Sequence, residues 1–368
     1  MPPLPFILWI MTVAWVVGWI VLWRVPHLPR QDADTPPPEP AGPLTIIIPA
    51  RNEASSLPNL LGDLSAHRPE GCRVIVVDDN SEDETAAIAG AFDFVEVLSA
   101  SAIRDGWIGK TWACHTGAQA VEDGVLVFLD ADVRLHGDVV ARAAAEREAR
   151  GGLLTIWPYH RVQKPYEHMS AIFNVVSLAA SGAGSLVPPK RPRAGFGPFL
   201  VTTKADYERI GGHESVKGSV IEDFAITARY SAAGLPVTNL GGGDDVSFRM
   251  YPDGFVSLVQ GWTKNYGTGA WAIGFLRLAF ITFWITFAIG AVKWGGGIDS
   301  HVWPRIFYAA FALQLFVMMR QVGNFSVLCA LLYPLQIVFL MFVLLRSFWR
   351  THVRKSVTWR GREVATGS

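Results

Sequence analysis

Val125-Leu126-Val127-Phe128-Leu129-Asp130-Ala131-Asp132-Val133 reads as an apolar strand ending in Asp-x-Asp, which brings two carboxylates to one exposed edge. The same grammar repeats on either side. Leu44 to Ile48, Arg73 to Val77 and Phe94 to Leu98 read as further strands, and Ser55 to Ala66, Asp83 to Ala91, Thr111 to Asp123 and Gly137 to Arg150 as helices. Such alternation predicts an α/β domain with a mostly parallel sheet covered by helices. Open sheets of this kind bind ligands beyond the carboxyl ends of their strands, and the polar clusters of this chain follow the strands directly.

A carboxylate pair at a strand end suits a hard divalent cation, Mg²⁺ or Mn²⁺, held by one or two carboxylates together with the phosphates of a substrate. Asp130 and Asp132 therefore point towards a nucleoside-diphosphate donor, although Asp-x-Asp also serves turns and helix caps. Pro49-Ala50-Arg51-Asn52-Glu53-Ala54 follows the first strand and can present amides and side chains to a nucleotide; Asn52 and Glu53 equally suit helix capping. Asp78-Asp79-Asn80-Ser81 ends the second strand. One carboxylate there can accept hydrogen bonds from a base or ribose; adjacent aspartates are costly to bury, which favours a ligand or solvent role over core packing, and Ser81 can cap the helix that follows. In Gly106-Trp107-Ile108-Gly109-Lys110-Thr111-Trp112 a lysine sits at a helix start, a natural phosphate site without the spacing of a P-loop. Ser219 to Phe224 places Glu222 and Asp223 at the head of an amphipathic helix; the helix dipole favours acids there, and a carboxylate aimed into a crevice can also serve as a general base. Gln260-Gly261-Trp262-Thr263-Lys264-Asn265 either shapes an acceptor entrance, through Gln260, Trp262 and Lys264 with Glu222 also on the acceptor side, or anchors the chain at an interface.

The 368 residues, 40.3 kDa, are half hydrophobic with a mean hydropathy of +0.27 and zero formal net charge, which argues against a nucleic-acid binder. Both ends are apolar. Pro5 to Trp23 is long enough to cross a bilayer and is followed by Arg24, so residues 1–24 read as an N-terminal anchor rather than a cleaved signal. A Pro-rich linker over 25–43 precedes the α/β domain, expected over 44–270. Within it 172–187, interrupted by Gly182 and Gly184, reads as an interfacial helix. Membrane segments are expected over 271–346, at Ile273 to Val292, Ile306 to Met319 and Phe325 to Leu345, followed by a basic tail over 347–368. Positive charge after both the first and last spans places domain and tail on the cytoplasmic face of the cell membrane. An even number of intervening crossings then makes the short middle segment the non-spanning one. Cys72, Cys114 and Cys329 are scattered and odd in number, which suggests neither disulfides nor zinc.

With these clusters in this order, Leu44 to Tyr266 resembles the family 2 inverting glycosyltransferases of GT-A fold. The stretches Gly106 to Gly117 and Trp157-Pro158-Tyr159-His160 look like the membrane members that glycosylate polyisoprenoid-type lipids, such as the hopene-associated and diaponeurosporenoate glycosyltransferases, and the general layout is similar to that of ceramide glucosyltransferases. The resemblance implies an enzyme moving one sugar from a nucleotide sugar, a UDP-sugar favoured, to a hopanoid, carotenoid or sphingolipid acceptor. It implies that Asp79 contacts the base, that Asp132 with Asp130 binds the metal, that Lys110 faces the diphosphate and that Asp223 is the general base. The Gln-x-x-Arg-Trp signature of processive members is absent in register after Gln260, which favours single transfer. A polyprenyl-phosphate or polysaccharide acceptor is the alternative, and a non-catalytic nucleotide-binding scaffold a more remote one.

Overall fold

A computed structural model describes residues 4–30, 37–38, 40, 42–219, 221–269, 274–295, 302–350, 356–359 and 362–365. Parts of the expected linker (31–36, 39 and 41) and of the basic tail (351–355, 360–361 and 366–368) lie outside the described residues. The chain divides into two compact units, one made of Pro26–Tyr159 and Arg191–Arg249, the other of Met1–Val25, His160–Lys190 and Met250–Ser368.

The first unit is built on strands β1 (Leu44–Ala50), β2 (Arg73–Asp78), β3 (Val95–Ser99), β4 (Val125–Leu129), β5 (Val133–Leu135), β6 (Leu153–Trp157), β7 (Tyr159–His160, where the chain leaves the unit), β8 (Phe199–Thr203), β9 (Val237–Gly241) and β10 (Val246–Phe248). Seven of them form one sheet in the order β3-β2-β1-β4-β8-β6-β9. Four of its six pairings are parallel, and only β8 runs against its neighbours β4 and β6. Alternate side chains of each strand enter opposite cores, as the two-residue period requires. Ile46, Ile48, Val74, Val76, Val127 and Leu129 pack on one face, and Ile47, Ile75, Val77, Leu126 and Phe128 on the other. Burial on both faces is why these strands read as unbroken apolar runs. Helices Leu57–His67 and Val139–Arg150 contribute to the first core and Gly109–Gln119 and Glu222–Ala232 to the second.

From β1 the chain steps outward to β2 and β3, then returns to place β4 on the other side of β1. The loops after β1 and β4 therefore leave the sheet at the point where the strand order reverses, the position at which open α/β sheets bind ligands.

The second unit is helical. Leu4–Val21 and Val302–Val322 are long and apolar enough to cross a membrane, and Phe275–Ala291 and Tyr333–Trp349 are shorter apolar helices. One helix is longer than its apolar run suggested. The middle segment, taken as too short, extends through Arg305 at one end and Gln321 at the other, because polar residues near a helix end truncate the apolar run without ending the helix. A second difference concerns 172–187. The helix there is Ala171–Ser181, it ends at Gly182 in left-handed conformation (φ 78°), and residues on all its sides are buried within the helical unit, so it does not lie along a surface. A third is the domain boundary. Residues from Met250 onward, expected in the sheet domain up to about 270, cluster with the helices because the face of helix Phe255–Gly269 that carries Trp262 is buried there.

Candidate active site

At the carboxyl end of β1, Pro49 and Ala50 are strand residues paired with Val77 and Asp78, and the turn begins at Arg51. That turn is interlocked with the one after β2. The Asn52 amide donates to Ser81 Oγ (3.0 Å), the Glu82 amide to Asn52 Oδ1 (2.8 Å), the Glu53 amide to Thr85 Oγ1 (2.8 Å) and the Ala54 amide to Asp83 Oδ2 (3.1 Å). Asn52 and Asn80 both adopt left-handed backbone, φ 52° and 55°, which asparagine tolerates better than most residues. Ser81 is thus spent on the neighbouring turn, and the amide of Thr85, the first helical residue, donates to Asp83 Oδ1 (3.0 Å). Glu53 is buried and accepts from Ser56 Oγ (3.0 Å). Arg51 and Asp79 are buried together: the guanidinium donates to the Asp79 carbonyl (2.9 Å) and lies 3.8 Å from its carboxylate. An aspartate only 1% exposed at a strand end is costly unless a cation accompanies it, and Arg51 supplies that cation.

The second half of the site surrounds Lys110. Helix Gly109–Gln119 starts where the Thr111 hydroxyl donates to both the Ile108 and the Lys217 carbonyls (2.8 and 2.9 Å), which sets Lys110 in the first turn. Its ammonium lies 2.7 Å from Asp130 Oδ1 and 2.9 Å from Glu222 Oε1. Burial alone would lower the lysine pKa, but Asp130 and then Glu222 outweigh it and hold it well above the ordinary value. Asp223, half-buried beside them, accepts from the Gly197 amide (3.1 Å) and the Phe224 amide (2.9 Å). Its carboxyl is pushed up to about 7, first by burial and then by the neighbouring Glu222 charge, with Lys110 and the two amides opposing the rise.

Gly197 was not singled out from the sequence. A Cβ there would stand 3.2 Å from Asp223 Cβ and 3.4 Å from Lys110 Nζ, a tight fit that a glycine relieves beside the carboxylate its amide binds. The signal was the Gly195-Phe196-Gly197-Pro198 run just before β8.

The structure thus brings Lys110, Asp130, Glu222 and Asp223 into one cluster. Asp132, exposed, is two residues beyond Asp130 at the same strand end. Among the described residues no three His, Cys, Asp or Glu side chains form a ready-made metal cage. The donor set still fits a small divalent cation. Asp130 already attracts a cation, the Lys110 ammonium, and two hard carboxylates completed by substrate phosphates are the usual arrangement for Mg²⁺ or Mn²⁺.

The acceptor-side expectation fares differently. Gln260 is exposed and Lys264 half-buried on helix Phe255–Gly269 of the helical unit. Trp262 is only 1% exposed, stacks on Phe173 (centroids 4.8 Å apart) and donates from Nε1 to Ser170 Oγ (2.9 Å). Its indole packs in the core with its one polar atom satisfied, a packing role that stands beside the expected acceptor-side one.

Comparison with known proteins bears on this geometry. The model of a family described as "Glycosyl transferase family 2" matches residues 45–178. A 4,4'-diaponeurosporenoate glycosyltransferase of Staphylococcus haemolyticus (strain JCSC1435) is 35% identical over 340 residues, 88% of each chain. One of the same name from Staphylococcus aureus (strain MRSA252) is 34% identical over 334 residues, again 88% of each. A solved mannosyltransferase of Pyrobaculum calidifontis, in complex with GDP-Man and Mn²⁺, superposes with a TM-score of 0.58 at 16% identity, covering 94% of this chain and 99% of that one, a likeness of fold.

Proposed function

The chain belongs to glycosyl transferase family 2 and is a glycosyltransferase, and from that premise we propose that it transfers one sugar, with inversion, from a nucleoside-diphosphate sugar to a hydroxyl or carboxyl group of a membrane lipid. The observation that carries this reading is the cluster in which Lys110 bridges Asp130 and Glu222 while Asp223 stands beside them with a pKa near 7.

The roles follow from charge. Asp223, once deprotonated, takes the proton of an acceptor hydroxyl, and a pKa near neutrality is where a general base is most effective. The acceptor oxygen then attacks the anomeric carbon from the face opposite the leaving diphosphate. The departing diphosphate carries away the bonding pair, and the Lys110 ammonium would donate to its oxygens as negative charge builds. Asp130 and Asp132 would hold Mg²⁺ or Mn²⁺ against the diphosphate, where the ion supplies Lewis-acid stabilisation of the leaving group. The buried Arg51–Asp79 pair and the interlocked turns around Asn52 and Ser81 present a rigid edge to the base and ribose. With an acceptor carboxylate no proton need be removed, and Asp223 would then orient the nucleophile.

A lipid acceptor is supported by the bilayer-length helices Leu4–Val21 and Val302–Val322, and a carotenoid-type acceptor by the names of the relatives. The positive charge that follows the first span supports a cytoplasmic position for the sheet unit at the cell membrane. The test is sugar transfer by the detergent-solubilised protein from a panel of UDP- and GDP-sugars into total bacterial lipid, with and without Mn²⁺ or Mg²⁺, beside Asp132→Asn and Asp223→Asn. Metal-dependent incorporation into the lipid phase, lost in both variants, is expected. Incorporation that persists in Asp223→Asn with a hydroxyl acceptor would remove the proposed base.

A further inference from the structure

The segment that follows helix Ala171–Ser181 carries an exposed apolar tip. Leu186 and Val187 are 56% and 67% exposed, with Pro188, Pro189 and the exposed Lys190 after them. The loop is not loose. The Leu186 amide and the Ser185 hydroxyl both donate to the Ile20 carbonyl (3.0 and 2.9 Å), and the Trp23 and Arg24 amides donate to the Gly184 carbonyl (2.6 and 3.2 Å). Gly184 suits this close approach, because a Cβ would fall 2.7 Å from the Leu22 side chain and 3.2 Å from the Arg24 backbone. On its other side, Arg277 donates to the Ala179 carbonyl (3.0 Å) and the Val187 carbonyl (2.9 Å).

These bonds fix the depth of the loop. Ile20 and Val21 end a helix of bilayer length, so a loop bonded to Ile20 and Arg24 lies at the level where that helix leaves the acyl region. Trp23, Phe275 and Leu276, 51%, 86% and 65% exposed, belong to the same ends of the two helices. Exposed apolar and aromatic side chains with Arg24 and Lys190 alongside match an interface whose lipids are anionic. A soluble surface would make such a patch a liability.

We propose that the loop 184–190 is a membrane-seated element, with Leu186 and Val187 at the acyl boundary and Arg24 and Lys190 among the phosphates of anionic lipids. It rests on the membrane reading above and adds a lipid-facing surface outside the spanning helices. The loop, braced by Arg277, thereby fixes how deeply the C-terminal end of helix Leu4–Val21 sits.

The test uses the full chain reconstituted in vesicles, with an environment-sensitive fluorophore on Val187→Cys in a Cys72→Ser background, since Cys114 and Cys329 are buried. A control fluorophore goes on Glu70→Cys, exposed in the sheet unit. Vesicles are phosphatidylcholine alone or with phosphatidylglycerol, and some carry a nitroxide near the headgroup end of the acyl chain. The expected result is a blue-shifted emission at 187 that nitroxide lipid quenches, unlike that at 70. Adding Lys190→Glu should reduce the quenching in anionic vesicles and leave it unchanged in neutral ones. Aqueous, unquenched emission at 187 from protein that floats with vesicles overturns the proposal. So does a blue shift without quenching, which would mean that protein covers the loop. An unchanged response of Lys190→Glu in anionic vesicles overturns the anionic preference. Failure of the reconstituted protein to float would instead overturn the membrane reading itself.

Discussion

Asp223 carries a pH dependence with a definite sign. An unfolded aspartate titrates near 3.8 and this one near 7, so between those values the folded protein holds a proton that the unfolded chain has released. Stability therefore falls as pH rises through that window and levels off above it. Activity runs the other way: kcat/KM should rise about tenfold per unit up to near pH 7 and then flatten, because only the deprotonated form is a base. Asp223→Asn should lower the rate by roughly 10²–10⁴ and also lose the decline of stability across the window, measured by thermal unfolding at a series of pH values. A variant whose unfolding profile keeps the wild-type slope would mean that another group titrates there. Lys110→Met makes a separate prediction. Lys110 opposes the rise of the Asp223 pKa, so its removal should move the acid limb of the rate profile to higher pH while donor turnover drops by about 10²–10³. An unmoved limb would show that the ammonium does not act on Asp223.

Among the elements, helix Phe255–Gly269 shows what one aromatic residue does. Trp262→Phe keeps the stack on Phe173 and loses the hydrogen bond to Ser170, an expected cost of about 1 kcal/mol seen as a lower midpoint in detergent. Donor hydrolysis and the KM for lipid should stay near wild type; a KM raised several-fold at unchanged stability would place Trp262 at the acceptor. The sequence pattern around Gln260 hid this because an apolar indole and a polar neighbour look alike at an entrance and on an amphipathic helix. The first four strands were legible for the opposite reason. Each is a short apolar run between turn residues, and Val125–Leu129 was read to the residue. Strands β6, β8 and β9 were not read, since β6 and β8 pair across an excursion through the helical unit that no local period reveals. Asp130, Lys110 and Glu222 are distant in sequence, so each was visible as a candidate while their bridge was not. Gly197 acts through its missing side chain and was visible only as one glycine of a pair.

At the scale of the whole molecule, the two units divide the chemistry. The groups assigned to the donor, Arg51, Asp79, Lys110, Asp130 and Asp132, and the proposed base Asp223 with its neighbour Glu222 all lie in the sheet unit, whereas the apolar helices lie in the other. Damage confined to the helices should then separate the two half-reactions. Gly18 offers the means. It sits against Trp284 and Gln314 where three helices are tied together: Trp284 Nε1 donates to Gln314 Oε1 (2.9 Å), and Gln314 Nε2 donates to the Trp15 carbonyl (2.7 Å). A side chain at that position must displace the indole, so Gly18→Leu should cost about 1–3 kcal/mol by overpacking. The sheet unit keeps its two cores and its Lys110 cluster, and with them hydrolysis of the nucleotide sugar by water. On the proposed function the acceptor is a membrane lipid served by the apolar helices, so transfer should fall while hydrolysis stays near the wild-type rate. Parallel loss of both activities in the same preparation would show that donor activation depends on the helical unit as well.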